Sequence, residues 1–300
     1  MMDLVHVRSF VEVALRGTVV AAAAARGYSP PAVSQHLAKL ETELASSLFE
    51  RSEGKLRLTA AGDAFLPLAL DLLDLERRAR EAAGRPMERP RLTIAGFASA
   101  IATLVLPKVK DLDASFVLEI VEAEDAEALR DLALGAVDVV LTQHYEGVVA
   151  DCDHRFRYTP LVTDPLRLVI PRNRPLSTRL KDLGGARWLF NGRGTRCTDA
   201  ALRLLAAAGL HPPTAGSIGD NSTLLALVAA GQGVAIVPEL VITESQRRVR
   251  VADQDLGSFR TIFAVTRSSA AAPVIELIAR LAGPDGPAPP SRQPSRSAIR

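Results

Sequence analysis

The sequence has few of the residues that metal centres, disulfide frameworks and membrane spans require. It contains two cysteines in 300 residues, Cys152 and Cys197, which lie far apart and form no CxxC pattern. Its five histidines are scattered along the chain, and none shows HExxH spacing. The most apolar short run, residues 19–25, ends at an arginine and is far too short to cross a bilayer. We therefore expect no metal, no cofactor, no disulfide framework and no membrane segment.

Charge of neither sign dominates. The chain has 36 Lys and Arg residues against 34 Asp and Glu residues, a net charge of +2, and 48% of its residues are hydrophobic. This length and composition are typical of a protein with two or three compact domains. The first residues show no basic segment followed by a long apolar run, so we expect a cytoplasmic protein. Residues 283–300 are rich in Pro, Ser and Arg, which predicts a disordered tail.

Residues 28–41 read YSPPAVSQHLAKLE and place two adjacent prolines at the head of a helical pattern. Proline costs about 3 kcal/mol inside a helix but is tolerated in the first turn, where its missing N–H would have no helical partner. The prolines therefore mark a helix start, which Ser29 can cap through its hydroxyl. Helical spacing over residues 4–14 and 20–26 precedes it, with a glycine in the turn, and this order predicts a helix-turn-helix motif. Residues 56–58 can form one strand of a small wing.

The helix that follows Ser29 has two different sides. Its apolar side carries Val33, Leu37, Leu40 and Leu44. Its other side is small and hydrogen-bonding and carries Pro31, Ser34, Gln35, Ala38, Lys39 and Thr42. Such a side lets the backbone approach a base-pair edge closely, whereas a solvated helix side is more often rich in Glu and Lys. The pattern by itself leaves DNA reading and an ordinary surface helix as equal alternatives.

Residues 59–84 form one long amphipathic stretch. Thr59 can cap it, and apolar residues follow at steps of three and four: Phe65, Leu68, Leu72, Leu75, Ala79 and Ala82. At 1.5 Å per residue, roughly 24 residues give a rod about 36 Å long. The seam favours a dimer coiled coil over a helix packed on its own domain, and Pro67 predicts a kink.

From residue 91 onward, short β-rich runs alternate with helical ones. The predicted strands are 92–95, 117–121, 137–141, 166–170, 188–190, 217–219, 234–237 and 262–265, with helices notably at 125–134, 198–208 and 222–230. This alternation predicts an α/β sheet, and sheets of this class bind ligands at the carboxyl ends of their strands. A cleft between two such lobes is the natural ligand pocket.

Short motifs occur at specific spacing along the chain. The amino-terminal ones are Phe10 with Val13, Ala14 and Gly17, Ala22-Ala23, the run 28–35, Leu40-Glu41, LFER at 48–51 and LTAAG at 58–62. Looser motifs follow at 106–107, 135–138 (GAVD), 171–176 and 229–238 (AAGQGVAIVP). Together they resemble the LysR-type transcriptional regulators over nearly the whole chain, to about residue 282.

The resemblance implies three parts. They are a mainly α winged helix-turn-helix DNA-binding domain at 1–58, a linker and dimerisation helix at 59–84, and a two-lobed α/β effector-binding domain similar to periplasmic binding proteins at 91–282. It implies a regulator rather than an enzyme, which binds double-stranded DNA at an interrupted promoter palindrome and responds to a small-molecule effector. It also implies a homodimer that assembles into a homotetramer, with RNA polymerase as a further candidate partner.

Some residues depart from the family pattern. Val20 stands where the family usually has a hydroxyl residue that caps the second helix, a role that Thr18 can take. Arg26 replaces a usual leucine and Ala45 a usual glycine. Residues 1–60 hold seven Lys and Arg against six Asp and Glu, so we expect weak non-specific DNA binding that depends on the local placement of a few cations.

The expected DNA-binding residues lie on the motif and the wing. Pro31, Ser34, Gln35 and Lys39 should face the major groove, with Gln35 able to read adenine through two hydrogen bonds. Arg51, Lys55 and Arg57 should hold phosphate or the minor groove, with Thr18 and Ser29 at helix starts beside them. His36, at the edge of the buried side, should pack or face phosphate rather than read a base.

The expected effector-binding residues follow strand ends in the carboxyl-terminal domain. They are Ser99 and Ala100, then Thr142, Gln143 and His144, then Thr195 and Arg196, and finally Asn221 and Ser222. The sequence does not select one effector among amino acids, aromatic acids and sugar acids.

Other chemistries find little support. No GxSxG elbow accompanies Ser99, and the Gly231-Gln232-Gly233 run precedes a strand, the reverse of the dinucleotide-binding order. Cys197 raises a redox-sensor hypothesis, but without a second cysteine nearby in sequence a packed thiol is favoured. A small-molecule binding protein or an enzyme whose amino-terminal domain only dimerises stays as the alternative function.

Overall fold

The fold is taken from a computed structural model. It describes residues 2–52, 55–83, 89–147, 156–192, 194–212, 217–242, 249–268 and 270–282, so the predicted tail at 283–300 lies outside the described residues. The chain divides into two compact units. One takes in Met1–Ala95, Asp113–Val140 and Thr266–Ala270, and the other takes in Gly96–Leu112, Leu141–Val265 and the chain from Ala271 onward.

Three helices and a hairpin open the chain. The helices are α1 (Leu4–Arg16), α2 (Val19–Arg26) and α3 (Pro30–Leu44), and the hairpin pairs β1 (Phe49–Ser52) with β2 (Lys55–Leu58), Phe49 lying opposite Leu58. Their shared core is apolar and includes Phe10 and Leu40, both with no exposed surface. The predicted winged helix-turn-helix is confirmed.

Helix α4 (Ala60–Ala83) follows the hairpin and continues across Pro67. Thr59 starts it, because its Oγ1 accepts a hydrogen bond from the Gly62 N–H at 3.1 Å. Ala69 and Leu73 are buried against the three-helix core, and the Leu68 and Leu75 side chains are exposed. The long helix is confirmed, and the kink stays a prediction.

The rest of the chain alternates strands and helices. The strands are β3 (Arg91–Gly96), β4 (Val117–Glu122), β5 (Val139–Tyr145), β6 (Phe156–Pro171), β7 (Phe190–Asn191), β8 (Ser217–Ile218), β9 (Ala235–Pro238), β10 (Val249–Val251) and β11 (Phe259–Arg267). The α-helices are α5 (Ala98–Ala100), α6 (Val109–Asp113), α7 (Asp125–Leu134), α8 (Arg196–Ala207), α9 (Asn221–Ala229) and α10 (Ala272–Ala282). A π turn at Ile101–Val105 and a 3-10 turn at Leu106–Lys108 join α5 to α6.

A mixed sheet organises this part of the fold. Its strand order is β10-β6-β11-β5-β3-β4, and β9 also pairs with β6, antiparallel, with Leu166 opposite Pro238. The short strands β7 and β8 form a separate parallel pair. The predicted α/β architecture is confirmed, including α7 with both of its ends.

The structure also corrects several predicted bounds. Strand β6 runs from Phe156 rather than 166, and its pairing with β9 covers only 166–169. Trp188 makes a single bridge to Val234 instead of belonging to β7. Strand β10, helix α10 and helix α6 were not predicted. Within the described part of the chain, no helix combines the length and apolar character that a bilayer crossing needs.

Candidate functional site

The start of α3 is built by local contacts that the sequence predicted. Ser29 has extended backbone, and its Oγ accepts a hydrogen bond from the Ala32 N–H at 3.3 Å. Pro30 and Pro31 occupy the first turn, where no helical N–H is lost. Gly27 ends α2 in the left-handed region with φ of 67°, which glycine adopts without steric cost. The turn is therefore short and the first two turns of α3 begin sharply after it.

The two sides of α3 differ in burial as the pattern predicted. Val33, Leu37 and Leu40 are buried and Leu44 is half-buried. The opposite side is exposed throughout, at Pro31, Ser34, Gln35, Ala38, Lys39 and Thr42. This polar side, which we call the reading face, carries hydrogen-bonding groups and one cation over about three turns.

A histidine contact fixes α3 to α1. The Ser9 Oγ lies 2.8 Å from His36 Nδ1, and the His6 and His36 rings lie 5.2 Å apart between centroids. Tyr28 packs edge-on against the His36 ring at 5.3 Å. Burial lowers the pKa of His36, helped by the nearby His6 and Lys39, while Asp3 acts in the opposite direction. His36 is thus a packed residue, as expected.

Thr18 takes the capping role at the start of α2. Its Oγ1 accepts a hydrogen bond from the Ala21 N–H at 3.1 Å. Val20, at the position where the family usually has a hydroxyl, is exposed and caps nothing. The substitution expected from the sequence is therefore confirmed for the cap.

The wing is tied to the carboxyl-terminal half of α3 by one carboxylate. Glu41 Oε1 accepts hydrogen bonds from the Leu48 N–H at 2.7 Å and the Phe49 N–H at 3.2 Å. The Arg51 and Arg57 side chains on the two strands are exposed. Lys55 belongs to β2 opposite Ser52, and its side chain lies outside the described residues. In the sequence, Glu41 was named only as part of the Leu40-Glu41 motif and was given no functional role.

The exposed surface of α4 includes large apolar side chains. Leu68 and Leu75 are each 58% exposed, although both are large hydrophobic side chains. Leu72, Leu75 and Ala79 line a shallow groove with Leu4. The predicted seam therefore contains residues that the chain does not cover by itself. The Ala82 side chain lies outside the described residues.

A buried arginine organises several of the expected effector residues in the second compact unit. Arg260 on β11 is 2% exposed and contacts Asp164 Oδ2 at 2.8 Å through both Nε and Nη2. Its Nη1 donates to Gln143 Oε1 at 2.7 Å, and its Nη2 donates to Ser99 Oγ at 3.4 Å. The guanidinium also lies 5.3 Å from the centre of the Phe97 ring. Arg260 and Asp164 were missed in the sequence because no local motif marks either residue.

Three expected residues meet around this pair. Ser99 and Gln143 contact Arg260 directly, and Arg196 Nη1 donates to the Gln143 backbone carbonyl at 2.9 Å. All three are half-buried, so they combine fixed positions with access to solvent. Burial raises the pKa of Asp164 although Arg260 acts to lower it. The ion pair leaves Arg260 with little net charge to offer a ligand, whereas Arg196 contributes a cation at the edge of the cluster.

The remaining expected effector residues have different surroundings. Thr142 is 1% exposed, and its Oγ1 has no hydrogen-bond partner among the described residues. His144 packs against Phe263 with a centroid distance of 4.8 Å, and burial, followed by Arg196, lowers its pKa. Asn221 Oδ1 accepts from Asn191 Nδ2 at 2.7 Å. Three others complete the set: Thr195 caps α8, Ala100 is buried and Ser222 is exposed.

Cys197 is a packed thiol in the same unit. It is 9% exposed and belongs to the core cluster that includes Tyr145 and Trp188. Burial raises the pKa of the Cys197 thiol and also raises that of the Tyr145 hydroxyl well above its ordinary value. Since the thiolate is the reactive form, these surroundings disfavour redox chemistry at Cys197.

A metal site finds no support in the described ranges. Among those residues, no group of three or more His, Cys, Asp or Glu side chains is placed to hold a metal ion.

Comparisons with known proteins identify the two parts of the chain that contain these residues. The family model "Bacterial regulatory helix-turn-helix protein, lysR family" matches residues 4–63, and "LysR substrate binding domain" matches residues 86–283. The chain is similar to the small neutral protease regulatory protein of Streptomyces coelicolor, with 31% identity over 77% of this chain and 76% of that protein. It is 26% identical to the transcriptional regulator MetR of Salmonella typhimurium over 86% of this chain and 81% of that protein. A full-length OxyR variant from Pseudomonas aeruginosa has a similar fold, with a TM-score of 0.64 at 23% identity over 94% of each chain.

Proposed function

Because the chain belongs to the LysR family of DNA-binding transcriptional regulators, we propose that the reading face of α3 enters the major groove of promoter DNA. The protein is a regulator with a substrate-binding domain, not an enzyme. The observation that carries the proposal is the exposure of Pro31, Ser34, Gln35 and Lys39 on one side of a helix whose other side is buried. A recognition helix of this motif reads bases with its first turns.

The residues of the reading face have distinct proposed roles. Gln35 can donate and accept at once, which matches the N6 and N7 positions of adenine in the major groove. Ser34 adds a hydroxyl that can bond to a base or to phosphate, and Lys39 adds a positive charge one turn further along. Pro31 brings the backbone close because it has no N–H and a compact ring. Base discrimination should therefore depend on Gln35 first.

Other cations and helix starts position the protein on the backbone. We assign Arg51, Lys55 and Arg57 of the wing to phosphate or minor-groove contacts, since the two described arginine side chains are exposed. Thr18 and Ser29 start α2 and α3, where free N–H groups favour phosphate. These contacts carry no sequence information and set affinity rather than specificity.

We further propose that two chains pair through the exposed Leu68 and Leu75 of α4 and that such dimers assemble into tetramers. Two large leucine side chains that are each 58% exposed on one helix lose that contact with water when a second copy covers them. A two-fold dimer presents two copies of α3 in opposite senses, so its DNA site should be an interrupted palindrome. RNA polymerase is the partner proposed for the bound promoter.

We place the effector beside the Arg260 cluster in the second compact unit. Ser99, Gln143 and Arg196 are held in position there and stay partly open to solvent. Thr142, whose buried hydroxyl has no partner in the part of the chain that the structure describes, is a further candidate contact. The remaining contacts proposed from the sequence are Ala100, His144, Thr195, Asn221 and Ser222.

Selection of bound sequences from random DNA by the full-length protein tests the DNA-binding proposal. We expect an enriched interrupted palindrome, which a gel shift on the region upstream of the protein's own gene should reproduce. Retention of random sequences without enrichment would contradict it.

The effector proposal is tested separately by thermal shift with a panel of small metabolites. A compound that stabilises the wild-type protein should lose its effect in Arg196→Ala.

A further inference from the structure

We propose that Arg267 clasps α4, through Asp74, to residues 132–138 of the substrate-binding domain of its own chain, and that this clasp fixes the helix that spaces the two reading faces. The first part stands on contacts within the first compact unit. The second part rests on the proposed function, because it requires a dimer on DNA. Arg267 is thus a positioning residue that touches neither DNA nor effector.

Arg267 is the last residue of β11 and joins three different elements. Its Nε forms an ion pair with Asp74 Oδ1 of α4 at 3.3 Å, and its Nη2 lies 3.4 Å from Asp138 Oδ1. Its Nη1 donates to the backbone carbonyls of Leu132 at 2.8 Å and Val137 at 2.9 Å. One guanidinium therefore holds the linker helix, the end of α7 and the turn that follows α7.

The pair with Asp74 is shielded from water. The Arg267 side chain is 11% exposed and the Asp74 side chain is 9% exposed. Exposed ion pairs contribute little because water screens them, whereas loss of one partner from a buried pair leaves an uncompensated charge. The Arg267 contact to the Leu132 carbonyl adds to this, since a cation is favoured at the carboxyl end of a helix.

Apolar packing near the clasp is incomplete. Leu134 packs against the amino-terminal core, but a cavity of about 390 Å³ lies beside the pair, lined in part by Leu73, Asp74, Gly135 and Arg267. A cavity of that size removes the close contacts that would otherwise hold α4 in place by packing. Another ion pair, Arg8 Nη2 to Glu76 Oε2 at 2.9 Å, ties this part of α4 to α1. The Arg267–Asp74 pair instead ties α4 to β11.

The primary test is amide hydrogen exchange in the full-length protein without DNA. Asp74→Asn keeps the shape of the side chain and removes its charge, and Asp71→Asn is the matched control because Asp71 is exposed on the same helix. We expect Asp74→Asn to raise exchange in α4 around residues 70–78 by about tenfold or more, with the control unchanged. Unchanged exchange in Asp74→Asn would overturn the proposal.

A second variant separates the clasp from general loosening. Arg267→Gln should raise exchange in α4 to the same extent as Asp74→Asn, and the double variant should raise it no further, because both remove the same pair. Exchange in residues 132–138 should rise in Arg267→Gln and stay at the wild-type level in Asp74→Asn. If the double variant instead raised exchange in α4 by the sum of the two single effects, the proposed clasp would be wrong. If Arg267→Gln does not fold, Arg267→Lys takes its place. Because lysine keeps the positive charge, exchange in α4 should stay at the wild-type level. A tenfold rise in α4 exchange in Arg267→Lys would contradict the role of charge.

Selection of bound DNA tests the second part of the proposal. Asp74→Asn should keep the half-site sequence and accept more than one half-site spacing, whereas Asp71→Asn should select the wild-type spacing. A single wild-type spacing in Asp74→Asn, together with raised exchange, would show that the clasp holds the helix without setting the spacing. A wild-type protein that enriches no sequence would reject the proposed DNA function, and the exchange result would still decide the clasp.

Discussion

Ser9 of α1 and His36 of α3 are joined side chain to side chain, with 2.8 Å between Ser9 Oγ and His36 Nδ1. Ser9 Oγ also donates to the Val5 carbonyl at 3.0 Å, which uses its one hydrogen. His36 Nδ1 is then the donor toward Ser9. His36 directly follows Gln35, so a contact inside the helical core helps to orient the reading face.

The first prediction concerns pH. Burial lowers the pKa of His36, so below the ordinary value of 6.5 the unfolded chain binds a proton more readily than the folded one. The stability that neutral His36 provides is therefore complete above about pH 6.5 and falls as the pH drops through the lowered folded-state value. We expect the Tm of wild-type protein to fall more steeply than that of His36→Gln between pH 7.5 and pH 5.

The control for this prediction is His211→Gln, because the His211 side chain is exposed. It should retain the wild-type slope of Tm against pH. Equal slopes for wild type and His36→Gln would show that titration of His36 contributes nothing to acid sensitivity. The charged and titratable groups that face His36 are Asp3, His6 and Lys39, and all three are present in both proteins.

The second prediction concerns the wing. Glu41→Ala removes the acceptor for the Leu48 and Phe49 N–H groups, and Leu48 is buried. Buried donors without a partner cost about 1–3 kcal/mol each, so the free energy of unfolding should fall by about 2–3 kcal/mol in urea titration. Glu41→Gln keeps a neutral acceptor, so its free energy of unfolding should fall by less than that of Glu41→Ala. Glu50→Ala, an exposed change on the wing, should lie within about 0.5 kcal/mol of wild type.

The third prediction concerns the buried ion pair in the second compact unit. Arg260→Leu leaves Asp164, which is 1% exposed, without its cation. Breaking one partner of a buried pair costs about 3–5 kcal/mol, which urea unfolding should detect. Arg260→Leu combined with Asp164→Leu removes both charges and should recover part of the loss. Arg250→Leu, at an exposed arginine, is the control and should change stability little. No recovery in the double variant would contradict the charge argument.

Local patterns in the sequence were sufficient for α3, its cap and its two sides. Each depends on residues within one or two turns, so proline placement and helical spacing carry the information. Helix α7 was predicted with both ends for the same reason, since Gly135 stops it in the left-handed region. The assignment of effector residues to strand ends was wrong for Thr142, Gln143 and His144, which lie inside β5 because that strand runs to Tyr145 rather than ending at 141. The prediction still named Ser99, Gln143 and Arg196, which lie together, without revealing what holds them.

The contacts that sequence reasoning missed link distant parts of the chain. Arg260 and Asp164 are separated by 96 residues, and Arg267 reaches Asp74 from the other end of the chain. A single arginine in an apolar strand has no periodic signal, and only the folded sheet shows which carboxylate faces it. Short strands such as β7 are fixed by their partners rather than by their own two residues, which is why Trp188 was misassigned.

The last prediction tests the reading face itself. Gln35 is exposed on the first half of α3, where a bidentate contact to adenine is geometrically open. Loss of such a contact should reduce discrimination between the selected site and a site with that base changed by about 1–3 kcal/mol, or roughly fivefold to 150-fold. Gln35→Ala should therefore bind the two sites with nearly equal affinity in fluorescence anisotropy at fixed salt.

The control is Thr42→Ala, on the same exposed side but beyond the first turns, which should retain discrimination between the two sites. Unaltered affinity and discrimination in Gln35→Ala would place the base-reading contact elsewhere on the protein.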